Sequence, residues 1–210
     1  ILKMQRAYTK MKLKFLLVVA FFSIGHLHAQ KEVLQEIREF QEELNASFAD
    51  PETSPLTPED LKVFKALDFY DIDVGLRVEA DFLRTPLEMP FEMPTTTDRK
   101  PLYVKYGEAY FQIEGRVFKL NVYQNLELMA NPEYEDYLFV PFTDMTNGKG
   151  SYGGGRYIDT RKPNGKKIIL DFNKAYNPYC AYNGKYSCPI PPEENHLTLE
   201  VRVGVKDFKQ

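Results

Sequence analysis

The segment DFNKAYNPYCAYNGKYSCPIPPEENHL, Asp171 to Leu197, holds both cysteines of the chain, and His196 follows the second at the same eight-residue interval that separates Cys180 from Cys188. Such a set admits four chemistries. In an oxidising compartment the cysteines would close a small disulfide loop, which is the first expectation. With His196 and a carboxylate or water they would form a tetrahedral metal site, although the paired CxxC spacing is missing. A thiolate at Cys180, with His196 as its base and Asp171 or Asn195 orienting the ring, would be a nucleophile. Two structural thiols complete the set. Neither Ser151 nor Ser187 sits in a GxSxG elbow, so a serine triad is discounted. No metal and no cofactor is expected. The segment's tyrosines, Tyr176, Tyr179, Tyr182 and Tyr186, either line a pocket with their hydroxyls or cover the core.

A second polar set lies just upstream. GGRYIDTRKPNGKKIILDFN reads as a β-hairpin turning at Asn164-Gly165, a pair that tolerates positive φ. A two-residue turn sets Ile158 opposite Asp171 and Arg156 opposite Asn173. Alternation then sends Tyr157, Ile168, Leu170 and Phe172 to the core and gathers Arg156, Asp171 and Asn173 on the other face. A guanidinium beside a carboxylate and an amide suits a small polar or anionic ligand, but it also describes an ordinary solvated ion pair. A register slip of one residue would exchange the faces. Further upstream, PFTDMTNGKGSYGGGRY adds Asp144, Thr146 and three successive glycines, without the pattern or following helix of a phosphate loop. The expected ligand-binding residues are therefore Arg156, Asp171, Asn173, Tyr176 and Asn177. In a hydrolase-type alternative, Asp144 or Asp171 is the general base or Cys180 the nucleophile with His196, and Arg156 stabilises negative charge. A third alternative is an accessory domain whose polar motifs only lock a loop.

These residues need a frame. Val33, Leu34, Ile37, Phe40, Leu44 and Phe48 recur at helical spacing, predicting an amphipathic helix over 31–48. A proline-rich link leads to a short second helix, with Thr57 as cap, Pro58 at the first position, and Glu59 and Asp60 in the first turn. From about Leu76 the chain reads as strands: LRVEADFL, LYVKY and AYFQI around Gly107, RVFKLNVY after Glu114-Gly115, YLFVPF, the hairpin above, and HLTLEVRVGV as a last strand. The short spacings favour an antiparallel meander. The expected fold is mainly β, a curved sheet or incomplete barrel, with a helical segment over 30–75 packed on a domain over 76–210.

The N-terminal residues address compartment. Lys3, Arg6, Lys10, Lys12 and Lys14 precede an apolar run from Phe15 to Ile24, then Gly25-His26-Leu27-His28-Ala29. This reads as a secretory signal peptide over 1–29, with Met11 the expected start and cleavage expected after Ala29, hence a periplasmic or secreted protein. The run is too short to span a bilayer, and no stable membrane anchor is expected after cleavage. Five of the 27 basic residues and none of the 30 acidic ones fall in that segment, so the chain beyond it carries a formal charge of −8. That balance disfavours nucleic acid as a partner. His196 is then the only histidine, which excludes any mechanism needing two imidazoles.

The motifs PFTDMTNG, YGGGRYID, DFNKAYNPYCAY and CPIPPEENHL together resemble the domain of unknown function 1684 family, in an exported, Bacteroidetes-like form. The resemblance extends from SPLTPEDLKVFKALDFY through TTTDRKPLYVKYGEAYFQIEGRVFKLNVYQN to the end. The family pattern is matched at Asp144, Gly154, Arg156, Asp171, Asn173, Tyr176, Asn177, Cys180, Cys188, Pro191 and Asn195, while its usual ending AGEK is here VGVK, Val203 to Lys206. The resemblance implies no defined activity. It does imply that the cysteine pair serves more than a disulfide, because family members that look cytoplasmic keep it.

Overall fold

A computed structural model describes residues 29–208. The leader and its apolar run lie outside them. Among the described residues no helix is long and apolar enough to cross a membrane. The chain divides into two units, with the boundary between Glu39 and Phe40, and one helix, α1 over 29–49, runs across it. The first unit contributes only helix among the described residues. The second contains everything discussed below.

Within the second unit the end of α1 brings Phe48 into a small apolar cluster with Leu56, Leu67, Tyr182 and Val205. The short helix α2, Pro58–Val63, begins as local rules dictate. Thr57 is extended, its Oγ1 accepts from the Asp60 N–H at 3.1 Å and donates to the Asp60 carboxylate at 2.8 Å, and Pro58 fills the position that needs no donor.

The body is an antiparallel curled sheet that forms a half-barrel, with strands β1 (Arg77–Arg84), β2 (Phe91–Glu92), β3 (Leu102–Ile113), β4 (Arg116–Asn125), β5 (Tyr137–Asp144), β6 (Arg156–Arg161), β7 (Lys167–Asp171) and β8 (His196–Leu197). The order along the main path is β6-β5-β4-β3-β1-β7, with β2 added to β3 and β8 parallel to β5. The inner face carries the principal core: Ala80, Phe111, Leu120, Val122, Leu138, Val140, Phe142, Ile158, Leu170 and their neighbours.

Three sequence expectations fail here. First, β6 and β7 do not form a hairpin ladder. Lys162 to Lys166 link them, β6 pairs with β5, and β7 pairs with β1 at the opposite end of the path. The alternating apolar residues Ile168 and Leu170 are satisfied by Ala80 and Val78 across from them, a partner the Asn164-Gly165 signal could not reveal. Second, LYVKY and AYFQI are one strand, not two. Gly107 sits at a bulge after Lys105, where a Cβ would lie 2.4 Å from the Phe82 ring and 2.7 Å from the Leu83 carbonyl oxygen. The extra residue reverses the phase of alternation: Ala109, Phe111 and Ile113 face the core, while Tyr103, of the same parity, faces the other side opposite Asn125. Third, the last strand stops after two residues, and the chain from Leu199 to Val205 runs alongside the sheet without a ladder.

Candidate functional site

The structure separates the polar residues that the sequence grouped. Arg156 and Ile158 share the core face of β6, and Asp171 lies on the other face of β7 from Leu170, so Arg156 points inward and does not face Asp171. This is the one-residue exchange of faces that the wrong pairing produces. Arg156 is fully buried. Its Nη2 donates to Asp144 Oδ2 at 2.8 Å and to the Val201 carbonyl at 2.7 Å, and its Nη1 donates to the carbonyls of Val203 and Val205. Gly155, at φ +91°, lets the chain pass the Phe142 carbonyl, where a Cβ would lie 2.7 Å away, and so brings Arg156 into place. Asp144 Oδ1 accepts from the Thr146 N–H and hydroxyl and from the Val201 N–H. The pair substitutes for a missing strand: it supplies the polar partners that a ladder would otherwise give the segment from Val201 to Val205.

Asp171 and Asn173 make a second such device. Asp171 Oδ2 pairs with Arg77 at 3.1 Å, and its Oδ1 accepts from the Asn173 N–H at 3.1 Å and side-chain amide at 2.9 Å. Asn173 clamps the Asp73 backbone, accepting from its N–H and donating to its carbonyl, both at 2.9 Å. Asn177 donates to the Lys206 carbonyl at 2.8 Å. Asn195, which the family pattern includes, is fully buried, accepts from the Asn121 N–H and donates to the carbonyls of Asn121 and Pro141. It bridges β4 and β5 where their ladder has shrunk to Tyr123 opposite Phe139. Apart from Arg156 Nε and Asn177 Oδ1, which are buried without a partner among the described residues, these groups are satisfied from within the protein, which suits the locking of loops.

Cys180 and Cys188 are free thiols, so the expected disulfide is not found. They are adjacent: the Cys180 N–H donates to Cys188 Sγ at 3.1 Å, and the Tyr152 hydroxyl lies 3.9 Å from Cys180 Sγ. The neighbouring Cys188 thiol stabilises a thiolate at Cys180 and, with Tyr152 and Thr96, brings its pKa down to about 6 against the opposing effect of burial. The Cys188 thiol is pushed up, first by its hydrogen bond to Cys180 and then by desolvation. His196 is elsewhere. Its exposed ring bonds the Thr143 hydroxyl at 3.0 Å through Nδ1, and among the described residues no hydrogen bond joins it to either cysteine. No group of three or more His, Cys, Asp or Glu among the described residues is placed to hold a metal.

The cysteine segment does wall a hollow, but over a different floor. On the outer face of β5 and β6, Tyr137 and Phe139 stand beside Tyr157 and Asp159, with Phe139 directly opposite Asp159, and the phase change in β3 adds Tyr103. Tyr176, Pro178, Tyr179, Tyr186, Ser187, Cys188 and Pro189 close the side, and Phe40 and Leu44 of α1 complete it. The hollow measures about 400 Å³. Of the four tyrosines in the segment, Tyr182 packs in the cluster with Phe48, whereas Tyr176, Tyr179 and Tyr186 line this space.

Asp159 is the polar feature of the hollow. Its Oδ1 accepts from Tyr137 at 2.7 Å and Tyr176 at 2.8 Å. The residue keeps an accessible surface, yet the surrounding rings remove water from much of its carboxylate and push its pKa up, which the two hydroxyls and nearby Arg161 only partly offset. The Tyr157 hydroxyl donates to the Pro189 carbonyl. Burial, above all, raises the pKa of Tyr137, Tyr157 and Tyr176, so these phenols keep their protons. Sequence reasoning placed Tyr157 in the core and passed over Asp159. The available signal was the i, i+2 recurrence of Tyr137 and Phe139, and of Tyr157 and Asp159, on neighbouring strands.

Residues 62–206 match the family model described as protein of unknown function (DUF1684). The fold is similar to the solution structure of an uncharacterized protein from gene locus rrnAC0354 of Haloarcula marismortui, with 31% identity and a TM-score of 0.68 over 87% of this chain and 99% of that one. No curated protein matches the chain.

Proposed function

The chain belongs to the DUF1684 family, and from that premise we propose that it is an exported protein that binds a small ligand in the tyrosine-lined hollow around Asp159. The observation that carries this reading is an aspartate that keeps accessible surface within an aromatic hollow. Such a cavity, apolar over most of its wall with one oriented polar group, has the composition and the size, near the lower end of about 300–1,000 Å³, of small-molecule sites. The export half of the reading rests on the basic and apolar runs of the first 29 residues. Arg156, Asp171 and Asn173, first candidates for the ligand, instead support the scaffold that holds the hollow's wall in place.

The test is a fragment screen by NMR on the chain beyond Ala29. Expected are saturable shift changes at Tyr103, Tyr137, Tyr157, Asp159 and Tyr176, suppressed by Ser187→Trp, which fills the space. Fragments that bind only elsewhere, or none that bind, overturn the binding reading. Fractionation of cells expressing the full chain checks export separately: the protein in the cytoplasm with its first 29 residues retained would refute it.

A further inference from the structure

The ligand's chemical class follows from what the hollow still has to offer, an argument that rests on the binding reading above. Three of its six tyrosine hydroxyls are committed: Tyr137 and Tyr176 both donate to Asp159 Oδ1, and Tyr157 donates to the Pro189 carbonyl. What remains is ring surface, the carboxylate and the hydroxyls of Tyr103, Tyr179 and Tyr186. An aromatic face presents the negative part of the ring quadrupole, and the rings here are turned edge to face, Phe139 against Tyr157 at 4.7 Å and Tyr157 against Tyr176 at 5.8 Å between centroids, so that faces of different orientation border one space. The lining contains no Lys or Arg. Arg161, the charged neighbour of Asp159 on β6, is engaged by Asp136 at 2.7 Å and by the Glu133 carbonyl at 3.0 Å, and among the described residues Asp159 has no ion pair of its own.

We propose that the hollow is a cage for a small organic ammonium compound, with the cation seated against the faces of Tyr103, Tyr137, Tyr157 and Tyr176 and its charge balanced by Asp159. A carboxylate and ring faces, with no Lys or Arg in the lining, disfavour an anion and give a neutral alcohol no attraction to the ring faces beyond packing. A cation gains from both kinds of surface, the arrangement by which aromatic cages select quaternary and alkylated ammonium groups. The occupant is a free small molecule, because a hollow of about 400 Å³ bordered by Phe40 and Leu44, the sheet and the cysteine segment has room for a compact group.

Matched pairs of probes test this by calorimetry: choline against its neutral isostere 3,3-dimethylbutan-1-ol, and benzylamine against benzyl alcohol. We expect at least one cation to bind about tenfold or more tighter than its neutral partner. Asp159→Asn, which retains an oxygen acceptor for Tyr137 and Tyr176, should markedly reduce that preference with the melting temperature kept. Tyr137→Leu, which removes a ring face, should weaken the cation and leave the alcohol nearly unchanged. Equal binding of cation and alcohol overturns the ammonium assignment while the hollow remains a site. Fragments that bind there without any cation preference do the same. No binding of any probe or fragment overturns both readings. Choline recognised only on phosphatidylcholine vesicles, and not free in solution, overturns the small-molecule assignment.

Discussion

Arg156→Ala separates a scaffold role for the buried guanidinium from a ligand-binding one. The substitution leaves Asp144 buried without its charge partner and deprives the carbonyls of Val201, Val203 and Val205 of their donor. Breaking a buried pair from one side costs about 3–5 kcal/mol. Each stranded carbonyl adds about 1–3 kcal/mol, reduced where water enters along the loosened segment. We expect a loss of about 4–6 kcal/mol, a large share of the roughly 5–15 kcal/mol that holds a domain together. Guanidinium denaturation followed by circular dichroism measures it. The double variant Arg156→Met with Asp144→Leu sharpens the test. An isolated buried ion pair exchanged for apolar residues is often neutral or stabilising. Here the carbonyls and the N–H groups of Thr146 and Val201 would still lack partners, so the double variant should remain destabilised by about 2 kcal/mol or more. An Arg156→Ala protein that loses less than about 1 kcal/mol, or a double variant as stable as the parent, refutes the reasoning.

Asn195→Asp keeps the shape but turns the two donors that hold the Asn121 and Pro141 carbonyls into an acceptor; a loss of about 2–4 kcal/mol in the same denaturation assay is expected, and one within about 0.5 kcal/mol would show that Asn195 does not bridge β4 and β5. Gly107→Ala puts a methyl group against the Phe82 ring and the Leu83 carbonyl and should cost about 1–3 kcal/mol; a neutral result would mean that the bulge relaxes freely. Cys180 should react with iodoacetamide at a rate that is nearly flat from pH 9 down to 7 and falls about tenfold per pH unit below about 6, because the thiolate is the reactive form and its pKa is lowered to about 6; a midpoint near the ordinary value of about 8.5, read by peptide mass spectrometry, would contradict the stabilisation by Cys188.

Local signals survive into the structure where they decide geometry alone. Thr57 and Pro58 start α2, and Glu114-Gly115, at φ 51° and 74°, turns β3 into β4 with Ile113 opposite Arg116. Failure begins where a local signal competes with distant pairing. Asn164-Gly165 has turn chemistry, but the five-residue link it sits in carries the chain from one end of the sheet to the other, and pairing energy with β1 outweighs a hairpin. The one-residue bulge after Lys105 is likewise silent in the sequence, because only the crowding by Phe82 and Leu83 shows why Gly107 is there.

The candidate site was misread for a related reason. Charged side chains are almost never fully buried unless paired, and amides are mostly exposed, so Arg156, Asp171 and Asn173 read naturally as an exposed group. Their true partners are mostly backbone atoms of segments that make no ladder, and a backbone carbonyl has no letter in the sequence. Asp159 was overlooked for the converse reason: nothing near it in RYIDTR marks a partner for its carboxylate. Its environment is assembled from Tyr137 on β5, Tyr103 carried to that face by the bulge, and Tyr176 after β7. The two sets are nevertheless coupled through the fold. Asn173 fixes the exit from β7, and three residues later the backbone of Tyr176 pairs with Tyr157 in both directions, at 2.9 and 3.0 Å, which sets the Tyr176 ring beside Asp159. Residues whose spacing suggested a binding site therefore act one step away, holding the turn that brings a tyrosine onto the carboxylate of the hollow.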